Sequence, residues 1–224
     1  MIVWFATGNT HKKQELAEIL SDAISSPAIP GDTAFELKIP RDVGLEFDPE
    51  ETGTTFFENA LIKAGALYRL LEEKGARRPG DPIVADDSGI CVDELGGRPG
   101  IYSARYCGPE KMPDASIPHN LTDADRNVLL LEEMDGHPRR NSRFVCAMVL
   151  YYSPDRFFVA QETLEGELVK NIEAARGKGG FGYDPILYIP ELGHTVAELT
   201  EEEKNQWSHR GKAGRAIARI IAYL

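Results

Sequence analysis

The segment Phe144–Tyr152 is almost wholly apolar, and after Pro154-Asp155 the chain resumes with Arg156–Ala160. Two such runs across a Pro-Asp turn predict a long β-hairpin in the core of a sheet. Shorter runs at Ile2–Ala6, Phe35–Ile39, Ile83–Ala85 and Ile186–Tyr188 supply further strands. Between them, Leu16, Ile19 and Leu20 recur at helical spacing, and Phe57, Leu61, Ala64, Leu67, Leu70 and Leu71 form a longer stripe ending near Gly75. Thr55 and Glu58 give that second helix a capping-box signature. Thr122-Asp123-Ala124-Asp125 opens another helix, and a last one runs from about Ser208 to Tyr223 with Ala213, Ile217, Ile220 and Ile221 on its buried side. Strands and helices alternate irregularly, which predicts an α/β fold with a mixed sheet instead of a repeating barrel.

A chain of 224 residues forms one large domain or two small lobes, and either buries enough core to support a cleft. Apolar content of 42% and charged content of 27% are those of a globular protein. No apolar stretch is long enough to span a membrane. Ile2–Ala6 lacks a basic flank and is too short for a secretory signal, so it reads as a first core strand and the chain is expected in the cytoplasm. Cys91, Cys107 and Cys146 show no metal-type spacing and no Cys-His grouping, which fits reduced core thiols. A formal net charge of −11 argues against a general nucleic-acid binder, which needs a basic face. It leaves room for a nucleotide, since a few local cations, backbone amides and a metal suffice for one triphosphate.

Ala85-Asp86-Asp87-Ser88-Gly89 lies between the apolar runs Ile83–Ala85 and Ile90–Val92, a pattern that predicts a strand-turn-strand passage. Two neighbouring acids on one loop repel each other and are costly to desolvate, so a cation should compensate them, most naturally a hard metal ion. The competing reading is an acidic turn, because Asp, Ser and Gly are ordinary turn formers. Glu50 and Glu51, on the turn before the second helix, offer further oxygen ligands or a solvated acidic turn. Thr7-Gly8-Asn9-Thr10-His11-Lys12 joins the first strand to the first helix, where amides and a helix N-terminus favour an anion, or where Asn9 or Thr10 merely caps the helix. It is not a Walker loop. Gly177–Gly182 contains a literal G-x-G-x-x-G, yet Asp184-Pro185 and a strand follow it where a dinucleotide site needs a helix. Phe181 among those glycines is either a stacking face for a nucleobase or a core plug. Ser208-His209-Arg210, with Lys204 upstream, can donate to a base carbonyl or a phosphate, or decorate the surface. Asp86-Asp87-Ser88 lacks the spaced Asp-x-Asp that haloacid-dehalogenase chemistry uses, and Ser88 has a following glycine but no G-x-S-x-G elbow.

Taken in order, Thr7-Gly8-Asn9 with Lys12, Glu51-Thr52-Gly53 leading to Thr55-Phe56 and Glu58-Asn59-Ala60, Ala85–Gly89, Pro99–Tyr106, Gly179–Pro185 and Ser208–Arg210 closely resemble the inosine triphosphate pyrophosphatase family across nearly the whole chain. The resemblance implies an α/β fold with a long central mixed sheet and flanking helices, a single domain over residues 1–224 made of two lobes around a substrate cleft, and a homodimer. It implies hydrolysis of the non-canonical purine nucleoside triphosphates ITP, dITP and XTP to the monophosphate and pyrophosphate, with magnesium and with no nucleic acid or membrane partner. Thr7, Gly8, Asn9, Thr10, His11 and Lys12 would then hold phosphates. Glu51, Asp86 and Asp87 would serve the metal, with Asp87 as general base on water, and Ser88 would contact substrate. Phe181, Gly182, Tyr183, Asp184, Lys204, His209 and Arg210 resemble the nucleoside-recognition set. Two features depart from the pattern: Pro109–Asn120 is longer than usual, and His11 precedes the lysine of the phosphate loop. Such hydrolysis needs a positioned water and charge stabilisation, with no covalent nucleophile. Donors facing a 6-oxo group would reject adenine, because a 6-amino group leaves them unpaired. Rejecting guanine needs something further near the 2-position.

Overall fold

A computed structural model describes residues 1–24, 34–109 and 121–223. Of the long stretch Pro109–Asn120, residues 110–120 lie outside these described residues. The strands are β1 (Ile2–Phe5), β2 (Glu36–Lys38), β3 (Ile83–Val92), β4 (Asn141–Ser153), β5 (Arg156–Leu168), β6 (Leu187–Ile189) and β7 (His194–Thr195). They form one sheet in the order β2-β1-β3-β4-β5-β6-β7. β1 pairs in parallel with β2 and β3, whereas β6 is antiparallel to β5 and β7, so the sheet is mixed as expected. β4 and β5 adjoin across Pro154-Asp155, the predicted hairpin.

The helices are α1 (Thr10–Ile24), α2 (Phe56–Glu73), α3 (Asp123–Glu133), α4 (Glu201–Trp207) and α5 (His209–Tyr223). The capping box of α2 forms as predicted: Thr55 Oγ1 accepts from the Glu58 amide at 3.1 Å, and Glu58 Oε2 accepts from the Thr55 amide at 3.0 Å. Thr122 and Asp125 do the same for α3, and Thr200 and Glu203 for α4. α4 was not predicted: Glu201-Glu202-Glu203-Lys204 is a run of charges with no apolar stripe to mark a helix. None of the described helices is long and apolar enough to cross a membrane.

The chain divides into two compact units, 1–87 with 146–162 and 209–224, and 88–145 with 163–208. The first unit buries both faces of its part of the sheet, and strand alternation sorts the residues. Val3, Phe5, Val84, Cys146, Met148 and Leu150 pack with α1 and α5, while Trp4, Ile83, Ala85, Val149 and Tyr151 pack with α2. Each fully buried Leu or Ile contributes about 1.5–3 kcal/mol, so both helical layers are firmly held. α5 reaches α1 closely at Gly214, where a Cβ would lie 2.7 Å from Ile19 Cγ2. The second unit has its own core of Ile90, Val92, Leu130, Phe144, Leu164, Tyr183, Leu187 and Val196.

Candidate active site

Asp86 and Asp87 do not sit on a turn. They lie inside the continuous strand β3, which overturns the strand-turn-strand expectation. Successive strand residues face opposite sides, so Asp86 shares the side of Val84, toward α1 and α5, and Asp87 shares the side of Ala85, toward α2. The two carboxylates therefore face opposite sides, and each has its own hydrogen-bonded cations, although Asp86 still repels Asp87 across the strand.

Asp86 is 1% exposed. Lys12 Nζ lies 3.2 and 3.1 Å from its two oxygens, and Arg210 donates to Oδ2 through Nε at 3.2 Å and Nη2 at 3.0 Å. Arg210 Nη1 also donates to Glu15 Oε2 at 2.8 Å. Burial alone would raise the Asp86 pKa, but Lys12, Arg210 and Lys63 outweigh it and hold the carboxyl far below the usual range. Arg210 is correspondingly held above its ordinary value: burial opposes its charge, and Asp86 and Glu15 overcome that. Lys12 reaches Asp86 from the first turn of α1, whose start is capped by Asn9. The Asn9 Oδ1 accepts from the amides of His11 at 2.9 Å and Lys12 at 3.2 Å, and the Asn9 amide donates to Thr7 Oγ1 at 3.1 Å. Gly8, Thr10 and His11 are exposed beside it.

On the other side, Asn59 Nδ2 donates to Asp87 Oδ2 at 3.2 Å and Lys63 Nζ to Asp87 Oδ1 at 3.2 Å. Lys63 also donates to Glu51 Oε1 at 2.8 Å, so one ammonium bridges two carboxylates. Burial would strip charge from Lys63, but Asp87, Asp86 and Glu51 outweigh it and keep its pKa raised. Asp87 goes the opposite way to Asp86. Burial raises its pKa, and the pull of Lys63 and the Asn59 hydrogen bond does not cancel the push of burial, Glu51 and Asp86. Among the described residues no group of three or more His, Cys, Asp or Glu side chains is gathered to hold a metal ion, and the alternation of β3 turns Asp86 to the other face from Asp87. Glu51 and Asp87 alone suit magnesium, which takes one or two carboxylates and completes its shell with water and phosphate oxygens.

In the second unit, Phe181 is 40% exposed and is not a core plug. Asp184 organises the loop around it: Oδ2 accepts from the Phe181 amide at 3.0 Å and from Lys204 Nζ at 2.8 Å, and Lys204 stands 4.9 Å from the Phe181 ring centroid. Gly180 makes this possible, since its φ is +73° and a Cβ there would fall 1.9 Å from Asp184 Oδ2. Tyr183 is buried, and its hydroxyl donates to the Ser103 carbonyl at 2.8 Å. Gly182 is half-buried next to Phe181, as is Ser88 on β3. His209 is buried at the start of α5, in the first unit with Arg210.

A protein-family model for the Ham1 family matches residues 3–220. The chain belongs to the Ham1 family. A dITP/XTP pyrophosphatase of Treponema denticola is 45% identical over 222 residues, covering 99% of this chain and 98% of that protein. One from Geobacillus kaustophilus is 47% identical over 210 residues, covering 93% and 88%. Among solved structures, a HAM1 protein from Coxiella burnetii matches with a TM-score of 0.76 at 32% identity, covering 100% of both chains. Within this Ham1 chain, Lys12, Glu51, Asp86, Asp87 and Arg210 come together in the first unit, and Phe181, Gly182, Tyr183, Asp184 and Lys204 in the second. Sequence reasoning missed Lys63 and Glu15, and carried Asn59 only within the motif Glu58-Asn59-Ala60 without a role. Asn59 and Lys63 interrupt the buried stripe of α2 among Ala60, Ala64, Leu67 and Leu71, and a lysine inside an apolar stripe is a signal that could have exposed them.

Proposed function

We propose that this chain hydrolyses ITP, dITP and XTP at the α–β phosphoanhydride, releasing the nucleoside monophosphate and pyrophosphate. The observation that carries the reading is the division of Asp86 and Asp87 between two faces of β3. Asp87, whose proton affinity is raised, is the general base: it accepts the proton of the attacking water, a role that favours a carboxylate above its ordinary pKa. Lys63 and Asn59 hold it in place. Asp86, already taken by Lys12 and Arg210, anchors those cations instead of a metal, and Arg210 acts through Asp86 instead of meeting the base. Glu51 and Asp87 would hold a magnesium ion, which supplies charge stabilisation to the phosphates when bound. Lys12 and the loop residues Thr7–His11 bind phosphate.

Phe181 offers a ring face for stacking a purine. Lys204 has donors beyond the one given to Asp184, and a 6-oxo group can accept one of them while a 6-amino group cannot. The names of the relatives support this substrate class. The same reading includes a homodimer working in the cytoplasm. The test is product analysis with magnesium on ITP, dITP, XTP, ATP and GTP. Equal amounts of monophosphate and pyrophosphate from the first three, with ATP and GTP spared, are expected. Release of single phosphate, or no preference over ATP and GTP, refutes it.

A further inference from the structure

We propose that Asp123 and Asn127, on the exposed start and the buried side of α3, are positioning residues that clamp Gly182 and thereby set the attitude of the Phe181 ring toward the substrate base. The proposal rests on the reading of Phe181 as the stacking face. Asp123 Oδ2 accepts from the Gly182 amide at 2.7 Å, and Asn127 Nδ2 donates to the Gly182 carbonyl at 3.1 Å. Four residues apart, the two side chains share one face of the helix and hold both polar groups of a single residue. Gly182 has φ +63°, a conformation that glycine enters without strain and also leaves easily, so an external clamp matters there. Its neighbour Phe181 is otherwise fixed at the backbone by Asp184.

A second observation singles out Asn127. It is 4% exposed, yet its Oδ1 has no hydrogen-bond partner. Turning the amide over would face that oxygen against the Gly182 carbonyl, so the residue is oriented for the one bond it donates. An orphaned buried acceptor is unfavourable, and such a cost is expected where a group serves a site. Arg126 Nη1, 3.3 Å from Asp123 Oδ1, steadies the other jaw.

The experiment compares Asp123→Ala, Asp123→Asn and Asn127→Ala in ITP hydrolysis, alone and combined with Phe181→Ala. The Asp123 side chain is 54% exposed, so its variants fold, and melting curves check the Asn127 variant. Each alanine change should raise KM about five- to tenfold, the value of one hydrogen bond, with kcat within about twofold. Asp123→Asn keeps an acceptor and should restore most of the loss. In the Phe181→Ala background neither alanine change should raise KM further, and inhibition by inorganic pyrophosphate should stay unchanged throughout. Unaltered KM in Asp123→Ala, a fall in kcat alone, or full additivity with Phe181→Ala overturns the clamp while leaving the proposed function standing. Absence of ITP turnover by the unaltered protein overturns both.

Discussion

Replacing Lys63 by Met removes the ammonium between Glu51 and Asp87 while keeping an unbranched side chain of similar length. Asp87, 8% exposed, then loses its nearest cation, and stripping one partner from a buried ion pair costs about 3–5 kcal/mol. Against a total stability of about 5–15 kcal/mol that is a large fraction. For a chain of this size it corresponds to a fall in Tm of about 6–20 °C. The sign of the pH dependence follows from Asp87. Its pKa is already raised by burial, and losing Lys63 raises it further. The folded state then keeps a proton that the unfolded chain has given up, so stability falls as pH rises from the ordinary aspartate value through the folded one. The variant should therefore lie further below the unaltered protein at alkaline pH than in acid, where a protonated Asp87 no longer needs a cation. Added magnesium should recover part of the loss at the higher pH, because a cation bound only by the folded state stabilises it. Thermal melts followed by circular dichroism at both pH values measure all three effects. Equal Tm values at the higher pH, or a gap that is the same at both, would refute the role given to Lys63.

Two further outcomes are expected. Phe181→Ala should raise KM for ITP by about five- to 150-fold, the range for losing one base–aromatic stack, with kcat nearly unchanged in steady-state kinetics. Glu58 is held below the usual glutamate range by hydrogen bonds from Thr54 and then Thr55, so its contribution is present above the unfolded pKa and lost as pH falls through the folded one. Glu58→Ala should lower Tm at neutral pH and converge with the unaltered protein in acid, as melts across the pH range would show.

Most of the scaffold was legible because local signals agreed with the fold. Thr55 and Glu58 announced the start of α2, and the apolar run through Phe144–Tyr152 announced β4. The same capping signature at Thr200 and Glu203 opens a run of charged residues with no apolar stripe behind it, and so α4, which carries Lys204, was missed. Asp86-Asp87-Ser88-Gly89 has the composition of a turn, and local composition cannot reveal that Lys12 and Arg210 arrive from opposite ends of the chain to neutralise a buried strand carboxylate. Nothing in the sequence marks Asn127 as a residue of the site. Its partner, the carbonyl of Gly182, lies 55 residues away and carries no side chain to betray it.

The division of labour between the two aspartates is tested most directly by measuring kcat and equilibrium ITP binding on Asp87→Asn in the presence of magnesium. Asparagine keeps the size of the side chain and loses the proton acceptor, so kcat should fall by a factor of about 10²–10⁴ while ITP remains bound. Turnover at the unaltered rate, or a loss of binding that accounts for the whole fall in kcat/KM, would contradict the assignment of Asp87 as the base.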